Sequence, residues 1–170
     1  MKAVIYPLEK VVLGDISITF GMKKSEAERL LGKATAVGER RYYLGAELAV
    51  SYDAQESVEF IEFLGGKEGS LRPMLYGVSV FEENAEDLLA LLTEKNDGDV
   101  IDRENGYSYQ FSHIGIGLYR EMTPQDVEEM IAEMKAHGIL TEQNPDLEAD
   151  KEKALHFATV GAGACGYYTR

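Results

Sequence analysis

Two stretches of this chain, residues 16–63 and 76–160, carry the same succession of elements, and this internal repetition constrains the fold most. In the first, Ile16-Ser17-Ile18-Thr19-Phe20-Gly21 leads into the short amphipathic run Ser25–Leu31. Strand-like runs follow at Arg41–Leu44, Leu48–Tyr52 and Val58–Phe63. In the second, Tyr76–Phe81 leads into Asn84–Leu92, with strand-like runs at Tyr107–Phe111 and Gly115–Tyr119. Ala27, Glu28, Leu30 and Leu31 fall on Ala85, Glu86, Leu88 and Leu89 at a constant offset of 58. The pattern predicts an α+β protein of two similar helix-plus-antiparallel-sheet units, with Leu30, Leu31, Leu88 and Leu89 buried beneath the helices. No reactive group recurs between the copies, so the repetition speaks to scaffold and not to chemistry.

Local signals place the elements. Residues 2–6 and Val11–Leu13 read as strands, and Lys24–Leu31 as a helix closed by Gly32. Leu48, Val50 and Tyr52 alternate with Ala49 and Ser51, the period-two mark of a half-buried strand; Ile114, Ile116 and Leu118 repeat it. Ala85, Leu88, Leu89 and Leu92 form a helical stripe. Thr123 is a natural N-cap, Pro124 suits the first helical position, and Asp126 faces the helix dipole. Val127, Met130, Ile131 and Met134 give that helix its apolar stripe, and Gly138 ends it. This helix, about 123–137, reads as an insertion in the second unit, before a last strand at Leu155–Val160. The polar stretch Thr141–Lys153 reads as a loop or a frayed helix. Gly65–Ser70 reads as the linker between units 1–66 and 70–170. One continuous domain is the alternative.

The 170 residues carry a net charge of −13. Such a surface excludes nucleic acid and anionic membrane, which are bound by neutralising phosphate, and favours encounter with a basic protein. Between Glu121 and Lys153, ten carboxylates face three lysines, a balance of −7. Glu128, Glu129 and Glu133 on the outer side of the inserted helix are the first candidates for partner binding. The tyrosine-rich strands, with Tyr107 and Tyr109, are the second, because tyrosines on a sheet face make rigid amphipathic contact area. The single cysteine, Cys165, forbids an internal disulfide and fits a reducing compartment. The opening residues carry too short an apolar run for a signal peptide. Together these features predict a cytoplasmic location.

Gly161-Ala162-Gly163-Ala164-Cys165-Gly166 matches the dinucleotide fingerprint, but only four residues follow, too few for the helix that would hold a pyrophosphate. The expectation is a glycine turn that binds no nicotinamide or flavin nucleotide. His113, His137 and His156 lack metal-ligand spacing, and a Cys165–His113 pair has nothing in the sequence to assemble it. Asp97, Asp99, Asp102 and Glu104 crowd one loop without the spacing of a calcium loop. The residues assign no catalytic group, no cofactor and no metal.

The segment Ile16–Gly32, with its I-x-F-G-M opening and L-L-G close, resembles the repeat of beta-lactamase inhibitory proteins. It is also similar to the repeat of the small lipoprotein of the outer-membrane barrel-assembly machinery. Val50-Ser51-Tyr52-Asp53 with Val58–Phe63 resembles a later stretch in small bacterial proteins regarded as toxin-immunity proteins. Lys23 departs from the Thr or Ser usual before this helix, and no lipobox cysteine precedes the domain. The resemblance implies antiparallel strands after each helix and a non-enzymatic module that neutralises a toxin or enzyme. A small enzyme or ligand-binding protein using the groove between the units is the alternative.

Overall fold

The computed structural model describes residues 1–139, 141–142 and 144–170. The first half contains β1 (Lys2–Tyr6), β2 (Lys10–Leu13), β3 (Ile16–Thr19), α1 (Lys24–Leu31), β4 (Thr35–Val37), β5 (Arg40–Tyr43), β6 (Leu48–Tyr52) and β7 (Val58–Phe63). The second contains β8 (Arg72–Leu75), β9 (Val78–Ser79), α2 (Ala85–Lys95), β10 (Ile101–Asp102), β11 (Ser108–Phe111), β12 (Ile116–Tyr119), α3 (Pro124–Ala136), α4 (Pro145–Leu155) and β13 (Thr159–Gly163). The class is α+β.

The strands sort into a five-stranded sheet, β3-β2-β1-β8-β9, and an eight-stranded one, β10-β11-β12-β13-β7-β6-β5-β4. The larger sheet sets four strands of the first half beside four of the second. They meet at the antiparallel pair β7–β13, in the register Phe63↔Val160, Ile61↔Ala162. The smaller sheet is also shared, through a parallel pair between β1 and β8. Both sheets therefore cross the boundary at which the glycine-rich segment suggested a linker.

Period-two alternation aims Ile61 and Phe63 of β7 inward, with Val160, Ile116, Leu118 and Phe111 beside them. They belong to one core with Ile5, Val11, Leu13 and Ile18 of the small sheet and with the inner stripes of α1 and α2. Those stripes are Ala27 and Leu31 on α1, and Ala85, Leu88 and Leu92 on α2. Leu30 and Leu89, expected to be buried, are half-buried on the flanks. Each lies one position, about 100° of helix rotation, from the inward line.

Three local expectations change. Gly65–Ser70 contains a 3-10 turn, Gly66–Glu68, that wraps the Glu47 carboxylate. Glu47 Oε2 accepts from the N–H groups of Ser70 (2.7 Å) and Leu71 (2.9 Å), which hold its pKa below the usual value. A Cβ at Gly65 or Gly69 would fall 2.9 or 2.8 Å from that oxygen, so the glycines admit the carboxylate. In the stretch Thr141–Lys153, where Gln143 lies outside the described residues, the expected loop or frayed helix is a helix, α4, from Pro145 onward. Asn144 accepts from Asp146 and Leu147 N–H, with Pro145 at the first helical position. The last strand accordingly begins at Thr159. Val127 of α3 meets Leu147 and Ala154 of α4 in a second, small core ringed by Met122, Met130, Ile131 and Met134.

Leu88→Ala is expected to lower the unfolding free energy by about 2–5 kcal/mol, and Leu89→Ala by clearly less, since the latter leaves a smaller buried void. Urea denaturation of the two variants checks this; equal losses would contradict it.

Candidate groove at the strand seam

The face of the large sheet turned away from α1 and α2 is built by the alternate residues. On β7 these are Phe60 and Glu62, and the register sets Gly163 and Gly161 of β13 opposite them, with Gly117 of β12 beyond Gly161. Gly161 and Gly117 line a groove of about 580 Å³ across the junction of the two halves. Arg40 and Ser51 flank it from the first half, and Arg103, Ser108, Gln110 and Tyr119 from the second.

The chain's last residues fold back onto the same face. Gly166, at φ 80°, supplies the left-handed turn into a 3-10 turn at Tyr167–Thr169. Tyr167 stacks on Phe60 at 4.5 Å and 8°, and Tyr168 meets both rings edge-on. A Cβ at Gly163 would lie 2.7 Å from Tyr167 Cβ, and one at Gly161 2.9 Å from the Tyr168 hydroxyl. Those two glycines of the fingerprint-like run thus make room for aromatic side chains, Gly163 for Tyr167 and Gly161 for Phe60 and the Tyr168 hydroxyl. Burial pushes the pKa of both tyrosines upward. Arg40 pairs with Glu62, Arg170 Nη1 donates to Glu59 (2.7 Å), and Arg103 Nε donates to Gln110 Oε1 (2.8 Å).

Glu128, Glu129 and Glu133 lie exposed on α3, as the helical phase predicts. Among the described residues no lysine or arginine pairs with them, whereas Glu121, Glu148, Asp150 and Glu152 of the same acidic segment each have a lysine. Tyr107 joins this region: its hydroxyl donates to Asp126 Oδ2, which also accepts from Thr123 N–H (2.7 Å). Tyr109 does not. It aligns with Leu118 on the inward face and packs edge-on against Phe157 at 6.1 Å. Behind it Arg120, 3% exposed, donates to the carbonyls of Gly106 (2.7 Å) and Ala154 (3.3 Å) and to Glu86 (3.0 Å). That side chain fastens α4 and the β10–β11 turn to α2.

The reactive side chains are dispersed. Cys165 is exposed, His113 faces Asp97 at 3.8 Å, and His137 Nδ1 approaches the Glu133 carbonyl at 2.9 Å. His156 Nδ1 approaches the Glu83 carbonyl at 2.9 Å, with Lys67 Nζ 3.3 Å from Nε2. Asp102 Oδ1 accepts from Glu104 and Gly106 N–H, closing its own loop. Among the described residues no three His, Cys, Asp or Glu side chains gather as a metal site, and no helix is long and apolar enough to cross a membrane. Comparison with protein-family models, characterised proteins and solved structures finds no match.

Sequence reasoning missed the groove. Arg40, Arg103 and Arg170 lie far apart in the chain, and only the strand register brings them together. Gly117 and Gly161, a directly paired couple on adjacent strands, were the available signal.

The Tyr107 hydroxyl, followed by the Thr123 amide, holds Asp126 below the ordinary aspartate value of 3.8. The stability this contributes is complete above that value and is lost as pH falls through the lower folded pKa. Asp126→Asn is therefore expected to be less stable than the native chain at neutral pH, with the gap closing below pH 3.8. Thermal unfolding across pH checks this; a gap unchanged by acid would contradict it.

Proposed function

We propose that this chain is a non-catalytic protein-binding module, of the kind immunity and inhibitor proteins represent, and that its partner is a basic protein. The observation that carries the reading is the outward ridge of α3, where Glu128, Glu129 and Glu133 stand together without cationic partners among the described residues, whereas Glu121, Glu148 and Asp150 are matched by lysines. Unpaired charge on an exposed ridge accelerates encounter with an oppositely charged surface. Tyr107, fixed beside the ridge through Asp126, supplies an aromatic contact at its border. The separate small core under α3 and α4 gives the ridge its own support. Covering the active site of a toxin or enzyme is the function such a surface serves, in the reducing cytoplasm that a lone unpaired cysteine suits. The groove at β7–β13 favours a second reading, a ligand-binding protein, because it lies where the two halves join.

The test is retention of a partner from native cell extract on the immobilised chain, followed by association kinetics with the partner so identified. Replacing Glu128, Glu129 and Glu133 with Gln should slow association, and added salt should slow the native chain in the same way, with dissociation little changed. An association rate indifferent to both would contradict the reading.

A further inference from the structure

We propose that the groove at the β7–β13 seam binds a small hydroxylated oxyanion, a sugar acid or a sugar phosphate. This goes beyond the protein-docking reading and uses a different surface.

Charge points to an anion. The chain carries −13 overall, yet the groove is lined by three arginines, Arg40, Arg103 and Arg170, against one carboxylate, Glu62. A cleft of inverted sign in an acidic protein concentrates anions that the remaining surface repels. Arg40 and Arg170 are committed to Glu62 and Glu59. Arg103 is held only through Nε by Gln110, and among the described residues no carboxylate pairs with it. Its two Nη groups remain free as a planar fork, the geometry that grips a carboxylate or phosphate through two parallel hydrogen bonds.

The remaining lining points to hydroxyls. Ser51, Ser108, Thr159 and Tyr119 bring hydroxyl groups to the groove, and among the described residues none of these hydroxyls makes a hydrogen bond to the protein. A ligand rich in hydroxyls satisfies them, and a hydrocarbon would leave them unpaired. The tyrosine rings offer flat apolar area against which the C–H face of a sugar ring can lie. At about 580 Å³ the groove has the size of a small-molecule site. A long polyanion would meet the acidic surface outside it.

The test is calorimetric titration of the full chain with glucuronate, glucose 6-phosphate, glucose and inorganic phosphate. Saturable binding of glucuronate or glucose 6-phosphate, at least about tenfold tighter than glucose, is expected, and the tighter of the two identifies the anion as carboxylate or phosphate. Arg103→Gln should weaken that binding by about tenfold or more without moving the thermal unfolding midpoint, because Arg103 is exposed and forms one neutral side-chain bond. Ser108→Ala should weaken it less. Failure of both sugars to bind at millimolar concentration would overturn the proposal, as would binding indifferent to Arg103→Gln. Inorganic phosphate binding as tightly as the sugar phosphate would overturn the hydroxyl assignment. Tighter binding of a capped acidic peptide than of either sugar would make the groove a peptide-docking site instead.

Discussion

Strand β13 reaches β7 only after the chain has left the sheet at β12, built α3 and α4 and returned, and the four residue pairs it then makes join the two halves. On the inner side of that pair, Ile61, Phe63, Val160 and Ala162 close the core beneath α1 and α2. On the outer side, Gly161 lies beside Glu62 and lines the groove, while Gly163 beside Phe60 is covered by Tyr167. One strand pair thus positions both the apolar centre and the groove on the outer face. The long excursion through α3 and α4 makes the pairing non-local, so loop closure opposes it until the core forms.

The outer face shows the same coupling between sequence and surface. Small residues on β12 and β13 would weaken an exposed sheet, since a glycine has no side chain to pack and costs entropy to order. Here Tyr167 and Tyr168 cover part of the bare strip, stacked on and edge-on to Phe60. What the rings leave uncovered is polar and arginine-lined. On the opposite side of the second half, the buried Arg120 draws α2, α4 and the β10–β11 turn together over Phe157, at 5.5 Å from its ring. Removing one partner of such a desolvated cation leaves a charge uncompensated, which is costly.

Much of this architecture was legible in the sequence. The alternation of Leu48 to Tyr52, the stripe from Ala85 to Leu92 and the cap at Thr123-Pro124 each state a period or a boundary, and each element forms there. Helix α4 was signalled by Asn144-Pro145, the same cap-and-proline device, but its charged composition masked the pattern. Strand β4 gave no signal because all three residues are exposed, and β10 is too short to show a period. The glycine-rich Gly65–Ser70 looked like a linker because glycine permits flexibility as readily as it makes room for a carboxylate. The shared sheets and the groove depend on pairing between distant strands, which local periodicity does not encode.

The joining of the halves through β7 and β13 is tested most directly by native-state hydrogen exchange. The amides of Ile61, Phe63, Val160 and Ala162 should exchange only through global unfolding, with one common opening free energy equal to that from denaturant titration. Amides of α3 and α4, resting on a smaller core, should open at lower cost. Strong protection in β7 with low-energy opening of β13 would contradict the shared seam and show two halves that unfold apart.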